Sequence, residues 1–202
     1  MEGHERGPSR LRIGLLIAGL AALLALMETG GKSSQTEAVN ANLQASNLWA
    51  FFQAKTARMT TIRTAAETAS LTLLNDLPPA TKDAIQKQID AWNATAARYE
   101  SEPQTGEGRK ELTERALEAE AERDHELAAY HLFEIGSAAS QLAIVLASAA
   151  IITGVTFLVY MAGALGIVGA GFGVIAWLAP TMLSYTHLRA HETKANLVCR
   201  LL

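Results

Sequence analysis

Between Ile135 and Leu188 the chain carries no Asp, Glu, Lys or Arg, a run of 54 residues. As helix it would be about 80 Å long, and one bilayer crossing takes about 20 residues. The run therefore predicts two crossings joined by a turn. A helix on the surface of a soluble core meets water on one face and carries charge there, so so long an uncharged stretch fits lipid better than water. Gly163 and Gly166 mark the expected turn, which gives crossings over residues 135–162 and 163–186.

A second apolar run, Ile13–Met27, follows Arg6, Arg10 and Arg12. At about 22 Å it is short for a full crossing and has the proportions of a signal-peptide core. The following Ala25-Leu26-Met27-Glu28-Thr29 offers no small-residue cleavage site. The expectation is a basic tail (1–10) followed by a transmembrane helix or uncleaved signal anchor (11–29), with a cleaved signal peptide as the alternative. A basic flank before the first crossing stays in the cytoplasm, which places the segment 30–134 outside. Arg189, Lys194 and Arg200 in the C-terminal tail (187–202) pull the other way.

Glu28–Glu134 holds 11 Lys or Arg and 17 Asp or Glu, and it contains no apolar run long enough to cross. It is expected to face water. The net charge of −3 argues against a general nucleic-acid binder, which needs a surplus of cations to displace phosphate counterions. A single cysteine, Cys199, excludes an intramolecular disulfide framework and a cysteine-built zinc site.

The middle segment reads as helix throughout. Ala45, Leu48, Phe52, Met59, Ile62, Ala66, Ala69 and Leu73 fall on alternating three- and four-residue steps, interrupted only by Lys55. That is a heptad seam on one long helix over about 34–76. Leu77-Pro78-Pro79 ends it, and Thr81 is the expected cap of the next helix. Ile85, Ile89, Trp92, Ala96 and Tyr99 continue the same spacing, up to a loop at Glu102–Gly106. A third, acidic helix begins near Glu107, with a weaker apolar face of Leu112, Ala116, Ala119, Leu127 and Tyr130. No turn signal separates it from the uncharged run, so it is expected to continue into the bilayer. The predicted class is all-α: a membrane protein with about three transmembrane helices and an extramembrane antiparallel helical hairpin or three-helix bundle of coiled-coil type.

Few residues suggest chemistry. Gly166, Gly169, Gly171 and Gly173 imitate a dinucleotide fingerprint but lack the strand before and the acidic residue after. Gly166, Gly169 and Gly173 instead fit a face where helices approach closely in lipid. His187 and His191 share a helix face, yet the H-E-x-x-H order of a metalloprotease is absent, and juxtamembrane histidines are the simpler account. His125 and His131, six apart, do not share a face. The acidic run Glu118–Glu126 lacks calcium-loop spacing and reads as a solvated face with pairs such as Glu111–Arg115. Trp49 and Phe51, with Phe52, are a candidate partner surface, against the commoner use of such aromatics as core. Cys199-Arg200-Leu201-Leu202 is only a loose prenylation box, and Asn93-Ala94-Thr95 is a glycosylation triplet inside a helix. No catalytic, cofactor-binding or metal-binding set is identified, so a non-enzymatic protein is expected.

The run Ser46-Asn47-Leu48-Trp49-Ala50-Phe51-Phe52-Gln53-Ala54-Lys55 resembles a segment of a bacterial family of unknown function, numbered 4337 among such families, whose members show a Trp-Ala-Tyr-Tyr-Gln-Ala-Lys-like run. Ala121–His125 followed by Gln141–Ser148 is similar to the same family's approach to its second crossing. The likeness covers about 37–153. It implies an integral membrane protein with a helical outer segment and brings no activity, cofactor or site residue. Phe51-Phe52 replace the tyrosines, and the basic turn expected after the second crossing is missing.

The expected function is therefore a helical scaffold or partner-binding module in the bacterial plasma (inner) membrane, multi-pass, with 30–134 extracytoplasmic. Its expected partners are the lipid bilayer and a second copy or another membrane protein, with no nucleic acid and no identifiable small-molecule ligand. Self-association follows from two devices, the heptad seam and the glycine face. An accessory or sensory subunit of a membrane complex is the alternative. A small channel or transporter ranks below it, since only Gln141, Ser148, Thr153, Thr156 and Thr181 could line a path.

Overall fold

The computed structural model describes residues 7–181, and the expectations for Arg6, His187, His191 and the tail 187–202 with Cys199 fall outside them. The described residues are all-helical and contain no strand, with α1 (Gly7–Thr72), α2 (Pro79–Glu100), α3 (Arg109–Thr153) and α4 (Thr156–Leu178).

Helix α1 joins what the sequence divides near residue 30. Gly30 and Gly31 would each cost about 1 kcal/mol of helix propensity relative to alanine. Here packing offsets that cost, because the Phe133 ring of α3 lies 2.8 Å from where a Gly30 Cβ would stand. The seam also reaches further than expected. Leu20, Met27, Gly31, Ser34, Ala38, Ala41, Ala45, Leu48, Lys55, Met59 and Ala66 are all buried and all keep the alternating three- and four-residue steps. Lys55 is therefore in phase, and its reading as an interruption is corrected.

Helix α1 ends before the prolines, and its last turn tightens through bonds such as Asn75 N–H to the Thr72 carbonyl at 3.2 Å. Leu73 lies in this turn, just past the helix, and is half-buried. Helix α2 starts at Pro79, whose missing N–H costs nothing at the first helical position. Thr81 is inside that first turn, its N–H bonded to the Pro78 carbonyl at 2.9 Å, so it is not the cap expected.

The fold divides into two compact units, one from the described parts of 1–39 and 123–202, the other Asn40–Glu122. In the Asn40–Glu122 unit, α1 and α3 share a core of Ala45, Leu48, Leu112, Ala116 and Ala119, with Trp49 and Phe52 packed against it. Alanines at these positions let the two backbones come close. Helix α2 contributes buried Ile89 and Ala96, with Ile85 and Trp92 half-buried. Leu127, expected on the apolar face of α3, is 37% exposed, while Ala128 and Ala129 are buried in its place.

In the other unit, Leu20 of α1 packs with Ala143 and Ala147 of α3 and Ala162 of α4. The turn between α3 and α4 is at Gly154-Val155, not at Gly163. Gly154 takes φ +72°, a left-handed conformation that closes the helix, and its N–H bonds the Ala150 carbonyl at 2.9 Å. Gly163 and Gly166 both stay inside α4; Gly166 packs against Leu20, while a Cβ at Gly163 would meet nothing within 4 Å. The boundary between the two apolar helices therefore moves from residue 162 to residue 154.

Candidate functional site

The richest polar grouping belongs to Asn40–Glu122 and starts from three residues of α1 spaced by three. Trp49, Phe52 and Lys55 each meet a different group of the chain segment 107–120. The Trp49 indole N–H donates to Glu120 Oε1 at 2.9 Å. The Arg109 guanidinium lies over the Phe52 ring, 4.8 Å from its centroid. The Lys55 ammonium donates to Glu107 Oε2 at 3.5 Å. Lys55 also stands 5.3 Å from the Phe51 and Tyr99 ring centroids, which brings α2 into the same cluster. Its side chain is only 7% exposed, against 53% for Glu107.

Desolvating an ammonium is costly, and one long ion pair offsets that only in part. The two ring faces add cation–π attraction, and the aliphatic stem of the lysine packs as an apolar side chain would. Arg109 completes the ring of charges: it donates to Glu100 Oε2 at 2.8 Å, and its Nε is buried without a partner. These pairs tie α1, α2 and α3 into one register.

Glu111 stands in the first turn of α3, outside the apolar run. The Ser101 hydroxyl donates to it at 2.6 Å and the Glu102 N–H at 3.2 Å. The Ser101 hydrogen bond is the main reason its carboxyl sits below the ordinary glutamate range, with the Glu102 amide and the Lys110 charge acting in the same direction. Its folded value is lowered, so its contribution is fully present above the ordinary carboxylate range and is lost as pH falls through the lowered folded value. Acidification through that window is expected to raise amide exchange in residues 101–106, after correction for intrinsic rates. Glu111→Gln removes that pH dependence, and a loop whose exchange ignores pH in the native chain overturns the prediction. The expected Glu111–Arg115 pair does not form; Arg115 Nη1 donates to the Gly106 carbonyl at 3.4 Å instead.

The second grouping lies in the other unit. Helix α4 buries Ala162, Gly166, Gly169, Gly173 and Ala176, a stripe on four- and three-residue steps. A Cβ on Gly169 would stand 2.9 Å from both the Gly136 carbonyl and Ser140 Oγ of α3. Gly166 faces Leu20 and Gly173 faces Met27, both on α1. Gly136 in turn would meet Met27 Sδ at 3.2 Å. Ser140 is fully buried, and its hydroxyl is satisfied by donating to the Gly136 carbonyl at 2.8 Å.

Outside this contact the unit is covered with large apolar side chains. Leu15 is 66% exposed, Leu142 58%, Ile152 86%, Ile167 77% and Leu178 71%. Three helices carry windows long and apolar enough to cross a bilayer: α1 near its N-terminus, α3 and α4. The Met27 contacts set the level of one end. Within about one turn beyond them stand Glu28, Glu134 and Trp177. At the other end, Arg12, Thr153 and Tyr160 lie at comparable distances from the Leu20 contacts. Tyr160 and Trp177, 74% and 82% exposed, thus bracket an apolar layer about 25 Å deep along α4.

Ala45, Leu48, Met59, Ala66 and Ile89 of the predicted seam are buried, and Phe52, Ile62, Leu73, Ile85 and Trp92 are half-buried. Trp49 is half-buried: it packs against the core and meets the Phe52 ring edge-on, centroids 5.5 Å apart. Phe51 is 36% exposed. The buried residues of the seam and of the glycine face pack against other helices of the same chain. Reasoning from sequence missed the pairing of Lys55, Glu107, Arg109 and Glu120, because charged partners far apart in sequence carry no local signal, and because burial of a charge such as Lys55 is not expected without knowing its partner. The signal available was Lys55 keeping seam phase. Gly136, Ser140, Ala143 and Ala147, also missed, show the same small-residue spacing on α3 that Gly166–Gly173 show on α4.

A family model described as Domain of unknown function (DUF4337) matches residues 9–179. No curated protein and no solved structure matches the chain.

Proposed function

The chain belongs to this family of unknown function, and on that premise we propose that it is an integral membrane protein whose apolar helices embed in a bilayer while Asn40–Glu122 forms a water-exposed helical scaffold. The observation that supports the reading most is the coat of large apolar side chains on α1, α3 and α4, levelled at both ends by charge or amphipathic rings. Exposing such a surface to water is costly, whereas hydrocarbon matches it. Trp and Tyr favour the headgroup level, where an apolar ring and a polar tip are both accommodated. Arg12, only about 24 Å from Glu28 along α1, can extend its guanidinium outward to the interface.

In this reading the Lys55 and Arg109 pairings keep the scaffold in one register, and its free surface meets a partner. An accessory or sensory subunit is the second reading, favoured by α3 running unbroken from Arg109 to Thr153. Co-purification with a larger membrane complex supports it. A transport path draws little support: Gln141, Thr153 and Thr156 are exposed, and the Ser148 hydroxyl is spent on the Ile144 carbonyl at 2.8 Å.

Alkaline carbonate washing of membranes is the test. The full chain is expected in the pellet, and recovery in the supernatant overturns the reading. In a Cys199→Ala background, Asn75→Cys in the α1–α2 turn is expected to react with an impermeant maleimide added outside intact cells. Labelling only after lysis reverses the orientation.

A further inference from the structure

Helix α3 turns one strip outward, carrying Ala138, Gln141, Leu142, Val145 and Ile152. One of these is polar. Gln141 lies six residues inside the start of the uncharged run, about 9 Å beyond Ile135 along the helix. Among the described residues its one side-chain hydrogen bond is a long donation from Nε2 to Ser137 Oγ, at 3.4 Å. One amide N–H and the carbonyl oxygen therefore face outward. In water they would be solvated. In hydrocarbon nothing answers them, and an unmet amide is costly. Lipid headgroups lie too far away to serve at this depth.

A carboxamide is donor and acceptor at once, so it is complementary to a copy of itself. Across a twofold axis each glutamine donates one hydrogen bond and accepts one, which is the self-matching that an isologous interface requires. Ala138, nearly one turn away on the same strip, leaves room for two backbones to come close. We propose that this strip is the face through which the chain pairs with a second copy of itself, α3 against α3, with Gln141 bonded to the partner subunit's Gln141. The inference rests on the membrane reading above. It places self-association on a different surface from the seam and the glycine face, both of which are filled from within.

The test uses the full chain in native membranes, in the Cys199→Ala background. Ala138→Cys and, separately, Val145→Cys are expected to give a dimer with a short bismaleimide, while Ile167→Cys on the exposed side of α4 gives at least tenfold less. Gln141→Leu, an exposed change that leaves the fold intact, is expected to weaken pairing about tenfold, and Gln141→Asn, which keeps the carboxamide, to restore most of it. A chain retained in membranes that gives no dimer from either cysteine, a dimer indifferent to Gln141→Leu, or a cross-link to a protein of different mass each overturns the pairing. Release by carbonate overturns the membrane reading instead, and the pairing with it.

Discussion

Replacing Gly169 by leucine is expected to destabilise the α3–α4 contact by about 3 kcal/mol, the upper end of the usual cost of overpacking. The cause is backbone against backbone. A Cβ at Gly169 would stand 2.9 Å from the Gly136 carbonyl and from Ser140 Oγ, and Ser140 is fully buried with nowhere to move. The two helices must separate, which also removes Gly166 and Gly173 from Leu20 and Met27. Two positions along, a Cβ on Gly171 would meet nothing within 4 Å. Gly171→Leu is therefore expected to be neutral, or to gain up to about 1 kcal/mol from helix propensity. The apparent unfolding temperature of the two variants in detergent, followed by gel filtration, gives the comparison. Equal behaviour of the two variants would show that the close approach of α3 and α4 contributes nothing.

Lys55→Glu is expected to cost about 3–5 kcal/mol, because it sets an uncompensated carboxylate in a buried place beside Glu107. Lys55→Met is expected to lie within about 1 kcal/mol of the native chain, since the thioether fills the space of the lysine stem against Phe51 and Tyr99 without a desolvation cost. Thermal unfolding of the full chain followed by circular dichroism measures both. A methionine variant as unstable as the glutamate one would mean that the ammonium itself, rather than its burial and packing, carries the stability of that end of the seam. If the pairing also selects register, Lys55→Met should fold stably but admit a second alignment of α1 on α3. Cysteine pairs placed one heptad out of step would then cross-link.

The elements were legible because they depend on local spacing. The phase of the seam, the proline stop after α1, the helix over 109–153 and the long uncharged run are all consequences of which residues recur at three and four. What the spacing could not tell is what each face meets. Gly166 carried two readings, with Gly163 as a turn and with Gly169 and Gly173 as a packing face, and local sequence does not choose between them. Gly154 was passed over because one glycine beside a threonine gives less signal than four in a cluster, although its positive φ is what the chain needed to reverse.

By itself the sequence determined an all-helical chain with three apolar helices and a charged middle, since periodicity and the distribution of charge depend on nothing beyond neighbours along the chain. The tertiary structure alone decided that the seam and the glycine stripe close upon the chain's own helices, that Lys55 is buried against Glu107, Phe51 and Tyr99, and that Gln141 faces out. A helix displays which residues share a side, but the free energy of burying that side depends on atoms far away in sequence, and those are brought together only by folding.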